Sequence, residues 1–198
     1  DFKFFFEDIN NLREKIFVPI TLGGGIRNLE NAKAYFDNGA DKILVNYIAH
    51  QDTAICKKIA SIYGEQAISI MVDFKKENGI INTYINSGKI LSQTLEDFIL
   101  SVTKIKFGEL ILNSIDKDGT ASGFNFDCLE IIPKKFKNPV LMMGGAGKPE
   151  HFFSVLNEEK VSGIITANLF NFLGNGLEEA RNYCINKNTR LVKFSSEE

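Results

Sequence analysis

Asp73 interrupts the apolar run Ala67–Phe74 (AISIMVDF) near its C-terminal end. A carboxylate at the end of a buried strand can take up or give up a proton, with its pKa set by burial and neighbours. A second polar strand end, Asn113–Gly123 (NSIDKDGTASG), follows the apolar FGELIL. It carries Asn113, Asp116, Asp118 and Gly119, residue types that turn the backbone and orient hydroxyl or amine groups. Glycines close two further apolar runs: Gly23-Gly24-Gly25 after FVPITL and Gly144-Gly145 after VLMM. Glycines after a parallel strand let the backbone approach a ligand, and the helix start that follows offers unpaired amides to an anion. Asn46 accompanies the first set and Ala167-Asn168 the second. The pattern predicts two anion sites on opposite sides of one rim, hence a substrate with phosphate at both ends. Each glycine pair and Asp118-Gly119 would singly suit an ordinary turn; it is the duplication that favours a site. Ser87-Gly88 is read as a lid contact.

The elements that must position these residues alternate. Six strands are expected at 18–22, 42–45, 67–73, 109–113, 140–143 and 163–167. Helices of about ten residues separate them, giving βα units with a period of roughly 25–35 residues and a parallel sheet. Asn28 and Asp52 are expected helix caps, Pro149 a first-turn residue, and Pro133 a kink or early stop in a helix over 125–136. Further helices are expected to finish at Lys15 and to span 94–103 and 176–186. Gly79–Gly88 reads as a hairpin or extended excursion, and Phe4, Phe5 and Phe6 as a packed helix edge. Two folds fit, an open doubly wound sheet or a closed barrel lacking two strands. An internal repeat favours the barrel: Gly23–Asn46 and Gly144–Asn168 share the plan of glycines, loop, helix and a strand ending in Asn. The expectation is one α/β domain over residues 1–198, a (β/α)8 TIM-type barrel with a half-barrel repeat whose N-terminal strands are missing.

Composition narrows the function. Net charge is −2, with both signs interspersed, so no field steers nucleic acid or an anionic membrane. Cys56, Cys128 and Cys184 are far apart and odd in number, which argues for a reducing cytoplasm and against a disulfide framework or zinc site. No apolar run reaches membrane-spanning length. His50 and His151 have no partner at metal-ligand spacing and are read as surface or local hydrogen-bonding residues. No metal and no cofactor are expected.

Together these motifs resemble the cyclase subunit of imidazole glycerol phosphate synthase. The resemblance rests on PITLGGGIRNLENAKAYFDNGADKILVN, ISIMVDFK, ELILNSIDKDGTASGF, GGAGKPEHF and ANLFNF, in that order along nearly the whole chain. It implies a half-barrel-duplicated (β/α)8 enzyme of histidine biosynthesis, with a catalytic aspartate at Asp73. It further implies phosphate contacts at Gly25 and Asn46 for one end and at Asp118, Gly119, Gly145, Ala167 and Asn168 for the other, Asn168 replacing a serine. The implied reaction takes an open-chain bisphosphorylated ribulosyl aminoimidazole carboxamide ribotide and ammonia from a glutaminase partner. It yields imidazole glycerol phosphate and aminoimidazole carboxamide ribotide. Lys42 and Glu109 match a charged ring through which ammonia enters, and Asp41 matches a residue facing the glutaminase; on position alone these strand-start residues suit an ordinary salt bridge. The strand carrying the family's other catalytic aspartate has no counterpart here, so no cyclase turnover is expected from this stretch alone. Asn113 stands where the histidine enzymes usually have Thr, Tyr47 and Ile48 stand where small residues usually sit, and the ending also departs. These changes resemble a side branch that supplies ammonia for amidination of bacterial surface sugars. A non-catalytic ammonia-channelling scaffold is the third reading.

Overall fold

The computed structural model describes residues 2–167 and 174–191. Six strands form one parallel sheet in chain order: β1 (Thr21–Gly23), β2 (Lys42–Val45), β3 (Ile68–Glu77), β6 (Glu109–Ser114), β7 (Val140–Met143) and β8 (Gly163–Ile165). The sheet curls 206° into part of a (β/α)8 barrel. Its helices are α1 (Phe2–Arg13), α2 (Leu29–Asp37), α3 (Tyr47–Gln51), α4 (Thr53–Tyr63), α5 (Leu95–Val102), α6 (Asp127–Ile131), α7 (Pro149–Leu156) and α8 (Gly176–Asn186).

Strand periodicity divides the side chains between two faces. Ile43, Val45, Ile68, Ile70, Val72, Phe74, Leu110 and Leu112 are buried in one cluster with Ala32, Ile59, Phe98 and Ile99 of the helices. Each fully buried large apolar side chain of this layer contributes about 1.5–3 kcal/mol. The alternate residues Lys42, Leu44, Ser69, Met71, Asp73, Glu109, Ile111 and Asn113 therefore face the barrel interior. Register sets their heights: Ser69 pairs with Glu109 at the strand starts, and Asp73 with Asn113 at the C-terminal rim.

The excursion is an antiparallel pair, β4 (Ile80–Ile85) and β5 (Ile90–Thr94). It exists because β3 outruns its neighbour: β2 pairs only as far as Val45 with Ile70, whereas β4 pairs with Asp73–Glu77. The β3 edge left unpaired above β2 is thus satisfied by β4, and the tip of the hairpin hangs over the rim.

Several boundaries differ from the sequence expectation. The first strand is Thr21–Gly23, because Pro19 has no amide to give a ladder. The strand holding Asp73 runs on to Glu77, drawn out by the hairpin. The helix before Pro133 stops at Ile131, and α3 was not foreseen. Asn28 and Asp52 do cap, their side chains accepting from Asn31 N and Ala54 N at 2.8 and 2.9 Å. Of the three N-terminal phenylalanines, Phe4 is 65% exposed, while Phe5 and Phe6 set their rings against Tyr35.

His50 is more enclosed than expected. Its Nδ1 lies 3.1 Å from Ser92 Oγ, its ring 4.2 Å from that of Phe98, and its buried Nε2 has no partner. Burial pushes its pKa down to about 4. The unfolded chain then binds the extra proton between pH 6.5 and 4, so stability from this residue is full above pH 6.5 and falls as pH drops. The expected loss is up to about 3 kcal/mol by pH 4. Urea unfolding of His50→Phe should show a shallower decline over that window than the wild type; parallel declines would refute it.

Candidate functional site

The centre of the site is Asp73, only 8% exposed. Its two carboxylate oxygens each accept from a side-chain amide on a neighbouring strand end: Oδ1 from Asn113 Nδ2 at 2.7 Å and Oδ2 from Asn46 Nδ2 at 3.1 Å. The β3–β6 register places Asn113 directly beside Asp73, and the end of β2 brings in Asn46 diagonally. Burial raises the Asp73 pKa above the ordinary carboxylate value. The two amide hydrogen bonds pull it back in part, and the Asp118 charge adds a smaller upward push. A carboxyl group tuned this way exchanges a proton more readily near neutrality than an exposed one. The amide oxygens of both asparagines are buried without partners.

The first cleft opens beside Asp73 and holds about 400 Å³. Gly23, Gly24, Gly25, Asn46 and Tyr47 line it together with Asn86 and Ser87 from the hairpin tip. Tyr35 Oη donates to Gly24 O at 2.5 Å and pins the triglycine loop, and Gly25 sits at φ 67°, a conformation side chains resist. Ser87 thus reaches the site as a rim contact, and Tyr47 leaves the cleft open.

The second cleft is far smaller, about 10 Å³, room for about one water molecule as the loops stand. Asp118, Gly119, Gly144, Gly145 and Ala167 line it with Met143 and Ile165. The loop after β6 crosses the loop after β7 here: Gly123 N donates to Gly145 O at 2.8 Å, and a Cβ on Gly145 would collide with Gly123 O. Asp118 N is held by Ser114 O at 2.9 Å. Asn168, expected beside Ala167, lies outside the described residues.

At the opposite end of the interior, Lys42 Nζ meets Glu109 Oε2 at 2.9 Å, and Ser69 Oγ donates to Glu109 Oε1 at 2.5 Å. Asp41 lies outside this group, accepting from Arg13 Nη1 at 2.6 Å and Ile20 N at 2.8 Å. Those contacts hold its carboxyl below the usual range, the Ile20 amide contributing most.

Sequence reading missed Arg27, whose guanidinium stands 5.1 Å from the Tyr47 ring centroid at the first cleft. Its signal was proximity: the residue lies two positions after the triglycine. The three cysteines are free and buried, and among the described residues no group of acidic, Cys or His side chains could hold a metal. No helix of the described residues is long and apolar enough to cross a membrane.

Comparison with known proteins agrees with this architecture. A family model described as "Histidine biosynthesis protein" matches residues 4–175. A protein of Parasynechococcus marenigrum, provisionally named imidazole glycerol phosphate synthase subunit hisF2, is 38% identical over 86% of this chain and 64% of its own. Imidazole glycerol phosphate synthase subunit HisF of Chlorobium chlorochromatii is 33% identical over 95% of this chain and 75% of its own. The HisF subunit of Clostridium botulinum strain 657 is 34% identical over 88% and 70%. The chain therefore spans about two thirds to three quarters of the length of these relatives. With its half-circle of parallel strands and the motifs at their ends, the chain belongs to the histidine biosynthesis family of (β/α)8 proteins that includes the HisF cyclase subunits of imidazole glycerol phosphate synthase.

Proposed function

We propose that this barrel serves as the cyclase subunit of imidazole glycerol phosphate synthase, acting on a bisphosphorylated ribulosyl aminoimidazole carboxamide ribotide. The observation that carries the reading is the position of Asp73, clamped by Asn46 and Asn113 at the rim with a glycine-lined cleft on either side. The two clefts take the terminal phosphates on backbone amides. Asp73 then works on the span between them, withdrawing and returning protons as nitrogen enters and the imidazole ring closes. Imidazole glycerol phosphate and aminoimidazole carboxamide ribotide leave as products.

Ammonia comes from a glutaminase subunit docked at the strand-start end, where Asp41 faces outward. Lys42 and Glu109 gate its entry to the barrel interior. The sugar-amidination branch finds support in Asn113 and Tyr47, but the open cleft beside Tyr47 favours the bisphosphate. A non-catalytic scaffold has no use for a carboxyl group whose ionisation is opposed by burial.

The family's second aspartate has no counterpart among these 198 residues. With ammonium as nitrogen donor, a chain that joins them to the first two strands should form both products in equal amounts. The 198 residues by themselves should form none. Absence of both products from the longer chain would overturn the reading; turnover by the shorter one would overturn only the requirement for the second aspartate.

A further inference from the structure

Arg27 and Tyr47 come from different elements, the loop ahead of α2 and the first residue of α3, and meet at the mouth of the first cleft. The guanidinium carbon lies 5.1 Å from the ring centroid, within cation–π reach of about 6 Å. Tyr47 is 39% exposed, so the pair borders solvent and the cleft together. Among the described residues no carboxylate forms an ion pair with Arg27. Among the described residues that line the cleft the carboxylate is Asp73, already engaged by two amides. The backbone beneath Arg27 is fixed as well: its N donates to Asn31 Oδ1 at 3.1 Å, within the cap of α2.

We propose that Arg27, oriented by the ring of Tyr47, is the side-chain contact for a phosphomonoester in the first cleft and sets the selectivity of that end. The inference rests on the bisphosphate reading above and deepens it. A guanidinium offers a flat fork of donors that two phosphoryl oxygens match, and stacking on Tyr47 reduces the rotamer freedom lost when the anion arrives. Asn46 and the glycine loop supply the floor of the subsite; among the described residues that line it, Arg27 supplies the formal positive charge. Among the described residues the second cleft is lined by no cation and by one carboxylate, Asp118, so an anion there is left to backbone amides. The two ends of the substrate are therefore read by different means. The first is sensitive to charge and salt, the second to backbone geometry.

The test is a titration of the 198-residue chain with inorganic phosphate, followed by amide chemical shifts. The Gly24, Gly25 and Tyr47 amides report the first cleft, and Gly119 and Gly145 the second. Arg27→Ala should weaken phosphate at the first cleft about tenfold and leave the second within about twofold. Arg27→Lys should recover part of the loss. Tyr47→Phe should bind like the wild type, whereas Tyr47→Ala should lose affinity and add nothing further in the Arg27→Ala background. Added sodium chloride should weaken the first cleft more steeply in the wild type than in Arg27→Ala. If both clefts bind and Arg27→Ala leaves the first unchanged, this inference fails while the bisphosphate reading stands. If phosphate never moves the first cleft, both fail.

Discussion

In a chain that carries the complete barrel, Asp73→Asn lowers kcat for ammonium-dependent product formation by about 10²- to 10⁴-fold, with little change in KM. The substitution keeps the shape of the side chain and removes its ability to hold a proton. Both clefts remain, so substrate binding through its phosphates survives and the loss appears in the chemical step. The acid limb of the pH–rate profile should disappear with it, because that limb follows ionisation of Asp73.

A stability measurement distinguishes this outcome from simple misfolding. Burial raises the Asp73 pKa in the folded protein, so ionisation opposes folding. The associated stability is present below the unfolded-state pKa and is lost as pH rises through the folded one. Asp73→Asn should therefore unfold at higher urea than the wild type at pH 7, with the difference vanishing at pH 3. Loss of activity together with gained stability is the signature of a carboxyl group kept for function. A variant whose kcat stays within about threefold of the wild type would remove Asp73 from the chemistry.

Gly145→Ala is expected to destabilise the fold by about 2–5 kcal/mol and to abolish phosphate binding in the second cleft. Two costs add. The residue sits at φ 108°, outside the range comfortable for an L side chain, and the new methyl group would run into the Gly123 carbonyl. Neither backbone can yield easily, since Gly123 N is tied to Gly145 O. Gly64→Ala supplies the control. Gly64 also has a positive φ, 91°, with ψ 152°, yet a Cβ there meets nothing within 4 Å, so only the conformational part, about 1–3 kcal/mol, should appear. Equal urea midpoints for the two variants would mean the loop crossing is looser than its geometry indicates.

Much of this arrangement was legible before any coordinates. The alternation of short apolar runs with capped helices could only give a parallel α/β sheet, and the repeated glycine–helix–strand plan selected a barrel over an open sheet. Asp73 announced itself because a charge within an apolar strand has to be accommodated at some energetic cost. Asn28 and Asp52 capped as expected because capping is local, settled by a side chain and an amide a few residues apart.

What stayed hidden depends on contacts between segments distant in sequence. The extension of β3 to Glu77 follows from where β2 ends, since the edge left open must find a partner. His50 reads in the sequence as a surface or local hydrogen-bonding residue; its enclosure by Ser92 and Phe98 comes from a hairpin and a helix more than forty residues later. Likewise Arg27 and Tyr47 become a pair only when a loop and a helix start converge on one cleft.

The sequence by itself determined which residues could do chemistry and the type of fold that would carry them. Side-chain type and local periodicity are properties of short stretches, and those suffice for both. Only the tertiary structure decided that Asn46 and Asn113 would close on the two oxygens of Asp73, raising the question of its proton. Strand register and sheet curvature fix those distances, and both are set by packing over the whole barrel.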